Sequence, residues 1–155
     1  GEHETTSMCL EALQEVLKAE DTVIDVGCGS GILGIAAAKM GAKKGYLTDI
    51  DPVAVASAQH NAEVNGVAEK LTVAHSDLLE NAEIRGDVVL ANITAEILTR
   101  LAPSMPKNLK EGGMLILSGI IADRLSPVKE AYGAQGLTLE KEVRKGEWYA
   151  LVYKR

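Results

Sequence analysis

The chain has 155 residues, 46% hydrophobic and 25% charged, which suits one ordinary globular domain with one sizeable core. No segment approaches the roughly 20 apolar residues that span a bilayer, and no secretory or lipidation signal is visible, so no membrane role is expected. The net charge of −6, with no Lys/Arg run longer than two, disfavours a phosphate-tracking surface, and direct nucleic acid binding is not expected.

The chain opens at Gly1 rather than a methionine and runs straight into Glu2-His3-Glu4-Thr5-Thr6. It reads as a processed or trimmed chain, with sequence expected upstream. Apolar residues Met8, Cys9, Ala12, Leu13, Val16 and Leu17 recur at helical spacing, which predicts a helix over Thr5 to Ala19. Thr22 to Val26 is a β-branched run that stops at a glycine and reads as a buried strand. An alanine-rich helix over Ile32 to Met40 follows, closed by Gly41. Gly45 to Asp49 is a second strand, and Pro52 opens a helix that ends near Asn65-Gly66.

The alternation continues. Leu71 to His75 and Asp87 to Ala91 are strands, and a helix starts near Ala95 until Pro103 and Pro106 end or kink it. Gly112-Gly113 is expected to turn into a strand over Met114 to Ser118, before a helix from about Asp123 to Ala134. Leu137 to Arg144 and Trp148 to Tyr153 break the pattern as a hairpin around Lys145-Gly146-Glu147. Strands alternating with helices predict an α/β fold, a mostly parallel sheet with helices on both faces and an antiparallel end. Two cysteines, Cys9 and Cys28, are read as free thiols in a reducing cytoplasm.

The glycine-rich stretch Gly27-Cys28-Gly29-Ser30-Gly31 lies at the carboxyl end of the first strand, where open α/β sheets bind ligands. Bare backbone and the N-terminus of the next helix suit an anionic ligand group. Asp49, roughly 20 residues on at the end of the second strand, can accept hydrogen bonds from a ribose. Together they predict a nucleoside-containing cofactor rather than a plain turn. Gly29-x-Gly31-x-x-Gly34 also fits a dinucleotide fingerprint by spacing. Against a nicotinamide cofactor stand the strand's end at Val26, the buried-looking acid Asp25, and the lack of room for a second catalytic domain.

The run from Val23 to Ile32 resembles the first motif of the Rossmann-like class I S-adenosylmethionine methyltransferases. That resemblance implies a seven-stranded sheet, with the loop at Gly27 and Gly29 near the methionine end of the cofactor, Asp49 on the ribose and Asp77 near the adenine. Three further segments resemble the PrmA family, which methylates large-subunit ribosomal protein eleven. They are Gly1 to Thr6, then Thr48 to Pro52 with Asn61 to Gly66, then Leu90 to Ile93 with Leu117 to Ile120. At matching positions the cofactor contacts would be Thr6, Gly27, Asp49 and Asn92. Read without the family, Thr6 is equally a helix cap and Asn92 a turn residue. His3 is a candidate lid residue only.

The resemblance implies the cofactor S-adenosyl-L-methionine, the product S-adenosyl-L-homocysteine, and N-methylation of lysine side chains or an α-amine of that ribosomal protein. Asn92 is the candidate for orienting the amine, which must arrive neutral although free lysine has a pKa near 10.4. No dedicated base stands out among His3, His60 and His75, and no metal cluster is visible. Methyltransferases acting on planar amides or adenine typically read Asn-Pro-Pro-Tyr where this chain has Asn92-Ile93-Thr94-Ala95; the PrmA family usually reads Asn-Ile-Leu-Ala. The family's N-terminal substrate-recognition domain is not in this sequence, so residues 1–155 are expected to be the catalytic domain alone. An RNA or small-molecule methyltransferase, a cofactor-binding module without turnover, and a nicotinamide-binding domain remain open alternatives.

Overall fold

A computed structural model describes residues 2–155. The elements in chain order are α1 (Glu2–Val16), β1 (Thr22–Val26), α2 (Ile32–Lys39), β2 (Lys44–Asp49), α3 (Pro52–Val64), β3 (Leu71–His75) and β4 (Gly86–Asn92). There follow α4 (Ala95–Leu101), α5 (Met105–Asn108), β5 (Leu109–Ile121), α6 (Leu125–Gly133), β6 (Thr138–Lys145) and β7 (Trp148–Lys154). The strands form one seven-stranded sheet in the order β3-β2-β1-β4-β5-β7-β6. All neighbours are parallel except β5–β7 and β6–β7, so the expected α/β architecture with an antiparallel end is present.

Successive strand residues point to opposite faces, and both faces are covered. Val23, Val88, Leu90, Ile116 and Val152 pack under α1 and α2. Ile24, Val26, Val89, Ala91, Leu115 and Leu117 pack against α4, α5 and α6 on the other side. With α3 beside α2 over Leu47 and Leu71, three helices cover each face. The core is aliphatic, as a chain without phenylalanine requires; its main aromatic feature is Tyr132 stacked on Tyr153 at 5.8 Å.

The order of strands creates the switch point. The chain runs outward from β1 to β3, then crosses back so that β4 lies on the other side of β1. The loops after β1 and β4 therefore diverge from neighbouring strand ends and leave a crevice between them.

The elements depart from the sequence reading most in three places. Helix α1 begins at Glu2, not Thr5, and ends at Val16. Its first turn is polar and carries no apolar period to read; Thr5 anchors it by donating to the Glu2 carbonyl at 3.1 Å. Thr6 is thus inside the helix, and its reading as a cap is corrected. Gly112-Gly113 is not a separate turn but part of β5, which pairs with β4 from Gly86↔Leu109 through an irregularity to Val88↔Met114. Both glycines find backbone partners in Arg155, at 2.9 and 3.0 Å, and that pairing draws them into the sheet. Helix α4 ends at Leu101, ahead of Pro103, and the chain continues as a 3-10 turn over Ala102–Ser104 and then as α5, with Pro106 in its first turn.

One side chain pins the long connection between β3 and β4. The buried Asn108 amide donates to the carbonyls of Ala82 at 3.0 Å and Ile84 at 2.9 Å. Asn108→Ala leaves two carbonyls unpaired and is expected to lower stability by about 2 kcal/mol, seen as a lower urea midpoint at unchanged slope.

Candidate functional site

Two of the cavities at the carboxyl ends of the strands share a wall. The larger of these two, about 390 Å³, is bounded by the glycine loop, the first turn of α1, Asn92-Ile93-Thr94, Gly119 and Trp148. The second, about 230 Å³, is bounded by Asp49, Ile50, Ser76, Asp77, Leu78, Ile97 and Arg100. Gly27 and Ile93 line both, so they form the partition between the two spaces. Gly27 has φ +70°, and a Cβ there would stand 2.5 Å from Ile93 Cγ2. No side chain at position 27 fits beside Ile93.

The glycine loop is held by its surroundings. The Cys28 N–H donates to the Thr48 carbonyl at 2.8 Å, the Gly29 N–H to Asp49 Oδ2 at 2.9 Å, and the Gly31 N–H to the Cys28 carbonyl at 2.8 Å. From α3, the Asn61 amide donates to the Ser30 carbonyl at 2.9 Å. Asp49 therefore has a structural role beyond any ligand: it ties the loop to β2, and its other oxygen accepts from the Asp51 N–H at 3.0 Å. The Gly29 N–H points at this acid. His75 is likewise occupied, with Nε2 2.7 Å from the Ile50 carbonyl.

Beneath the loop lies Asp25, 2% exposed, on the wall of the larger cavity. One carboxylate oxygen accepts the Gly34 N–H at 3.1 Å, which satisfies a donor in the first turn of α2. Burial disfavours its charge and pushes its pKa from 3.8 up to about 7; the Gly34 hydrogen bond opposes this, and the negative Asp49 adds to it. Burial also raises the thiols of Cys9 and Cys28, each to about 12, so neither is a thiolate nucleophile at neutral pH.

Asn92 ends β4 opposite Ser118 of β5. Its amide nitrogen lies 3.5 Å from the Thr6 hydroxyl, and its amide oxygen faces Gly119. Ser118, fully buried, donates to the Thr5 carbonyl at 3.1 Å and fixes α1 against the sheet. Exposed ion pairs of Lys141 with Glu15 at 2.9 Å and Lys145 with Glu11 at 2.7 Å hold the same helix to β6.

The predicted site residues fall into two groups. Thr6, Gly27, Gly29 and Asn92 meet at the larger cavity, and Asp49 and Asp77 at the smaller. Asp77 is ion-paired with Arg100 at 3.3 Å, across the mouth of its cavity. His3 is exposed on α1 and lines neither cavity. Sequence reasoning assigned no role to Trp148, Ser118 or Gly119, and none to Asn61 individually. A lone tryptophan at the start of the last strand was the one available signal.

A carboxyl whose folded pKa exceeds its unfolded value binds its proton more tightly when folded. Stability then falls as pH rises from about 4 to about 7, and the full penalty persists above that. Asp25→Asn keeps the acceptor for Gly34 and removes the ionisation. Its stability relative to the parent is expected to improve by about 2 kcal/mol between pH 5 and pH 8, measured by urea unfolding without ligand. A pH-independent difference contradicts the assignment.

Comparisons with known proteins agree on the family. The sequence matches the family described as "Ribosomal protein L11 methyltransferase (PrmA)" along residues 1–155. It is 46% identical to the ribosomal protein L11 methyltransferase of Streptococcus pneumoniae serotype 2, covering 100% of this chain and 49% of that protein. The chain thus spans about half the length of the curated relatives it matches. A crystal structure of a ribosomal protein L11 methylase from Lactobacillus delbrueckii superposes with a TM-score of 0.95 at 35% identity, over 99% of this chain and 79% of that one. An RNA methyltransferase from Salinibacter ruber in complex with S-adenosyl-L-homocysteine shares the fold, with a TM-score of 0.73 at 23% identity, over 96% of this chain and 88% of that one. With its Rossmann-like class I methyltransferase fold, the chain belongs to the ribosomal protein L11 methyltransferase (PrmA) family.

Proposed function

We propose that these residues form the catalytic domain of a cytoplasmic, S-adenosylmethionine-dependent protein N-methyltransferase whose substrate is ribosomal protein L11. The carrying observation is the pair of cavities sharing the Gly27–Ile93 partition, with Asp49 on one side and Asn92 on the other. A cofactor with a nucleoside half and an amino-acid half suits that division. The names of the relatives at 46% and 35% identity support the activity and the acceptor.

The residues present fit this cofactor. At Gly29, on the wall of the larger cavity, a Cβ position would have nothing within 4 Å, so a ligand can lie on bare backbone there. Asp49 would hold the ribose hydroxyls through its carboxylate, while Asp77 and Ile50 would bound the adenine. Gly27 and Gly29, with Thr6 from α1, would surround the methionine half. When bound, this cofactor supplies a methyl group already activated by a sulfonium.

The chain's part is then to present a neutral amine. The Asn92 amide oxygen and the Ile93 carbonyl are acceptors on the same wall, beside Gly119. Two acceptors bind both N–H bonds of a neutral amine and leave its lone pair as the free direction. Trp148 closes the cavity with an apolar face suited to the alkyl stem of a lysine. No aromatic side chain follows Asn92, which supports a flexible amine over a planar amide or base. Proton release to solvent is compatible with a cavity open at its mouth.

Calorimetry is expected to find S-adenosylmethionine binding and no NAD binding, with Asp49→Ala weakening the former at least about tenfold through the ribose and the loop together. Tight NAD binding alone defeats the proposal. In the full-length protein, Asn92→Ala is expected to slow methyl transfer to ribosomal protein L11 about 100-fold while cofactor affinity falls by a smaller factor, about tenfold or less. Methylation of RNA but not of that protein rejects the substrate.

A further inference from the structure

Gly119 is the extra residue of a bulge near the carboxyl end of β5. Ser118 pairs with Ala150 and Ile120 with Tyr149, so Gly119 has no counterpart on β7. Its φ is +90°, a conformation that favours glycine. Asn92↔Ser118 is the last pair between β4 and β5, so Gly119 lies where Ile93 leaves the sheet. A Cβ on Gly119 would stand 2.8 Å from the Ile93 carbonyl oxygen and 3.2 Å from Asn92 Oδ1.

The neighbours of Gly119 cannot yield to such a group. Ser118 is fully buried and bonded to the Thr5 carbonyl at 3.1 Å. Ile120 is fully buried in the core under α4 and α6. Strain introduced at position 119 is therefore relieved on the opposite side, by moving the Asn92 amide and the Ile93 peptide.

We propose that Gly119 is a positioning residue for the acceptor amine: its missing side chain sets where the Asn92 amide oxygen and the Ile93 carbonyl stand in the cavity. This rests on the amine-methylating reading above. Gly119 touches no reacting atom in this scheme; it acts through the two acceptors. The bulge makes the direction of the amine lone pair depend on β5 as well as on β4.

The test uses Gly119→Ala and Gly119→Asn in the full-length protein, with ribosomal protein L11 as acceptor. Asparagine accepts left-handed backbone more readily than alanine, so the second variant separates strain from the added Cβ. Gly112→Ala is the control: it has φ +77° in the same strand, with nothing within 4 Å of its Cβ position. Both Gly119 variants are expected to bind S-adenosylmethionine within about threefold of the parent, which shows that they are folded, while kcat falls at least about 50-fold and KM for the protein moves less than about threefold. The Asn92 side-chain amide resonance is expected to shift in the Gly119 variants and stay fixed in Gly112→Ala. On an Asn92→Ala background the further loss from Gly119→Ala is expected to be smaller than on the parent, since only the Ile93 carbonyl remains to be displaced.

Parent-like kcat in the Gly119 variants, an equal loss in Gly112→Ala, or an undiminished loss on the Asn92→Ala background overturns this inference alone. A parent protein that binds cofactor but methylates no amine overturns the amine reading and this inference with it.

Discussion

The ends of β1 and β4 approach so closely that one of them has to be bare. Gly27 meets Ile93 across that gap, and the contact divides the carboxyl edge of the sheet into two spaces. Most of the remaining site geometry follows from this approach. The loop after β1 must leave the sheet at once, with Cys28 bonded to β2 and Gly29 to Asp49. At the end of β4 and just beyond it, Asn92, Ile93 and Thr94 line the larger space. Close packing transmits any displacement at this contact to both halves, because interiors have little free volume to absorb it.

The polar groups around the contact differ sharply in their surroundings. Asp49 is partly exposed and takes two backbone N–H groups; Asp25 is buried and takes one. One carboxylate thus organises the rim while the other braces α2 from below at an electrostatic cost. Ser118 performs a similar bracing from β5 to α1 without charge. The floor of the site is a set of single hydrogen bonds between elements, laid into an otherwise aliphatic core. That arrangement gives the loop a definite position without large side chains.

Much of this was readable in the sequence, for local reasons. The β-branched run ending at Val26, the glycine loop, and the acids at strand ends each announce themselves within a few residues. Asp49 was singled out because strand ends in an alternating α/β pattern face one crevice, whereas Asn92 was singled out only through the resemblance to the PrmA family. The first turn of α1 was not found, since Glu2, His3 and Glu4 carry no apolar period. Gly112-Gly113 misled because adjacent glycines usually turn, and the pairing with Arg155 that draws them into the sheet is non-local. Trp148, Ser118 and Gly119 were missed for the same physical reason. Their place at the cavity depends on β7 inserting between β5 and β6 and on one bulge, neither of which has a local signature.

The insertion of β7 also gives the molecule a built-in optical reporter. Trp148 is the chain's single tryptophan, and it lines the larger cavity. Tyr132 and Tyr153, stacked on the far face of the sheet, are excited at shorter wavelengths than an indole. Emission excited at the red edge therefore comes from one side chain, placed on the wall of the larger cavity. A molecule entering that cavity changes the surroundings of this one indole, with no label attached and no residue altered.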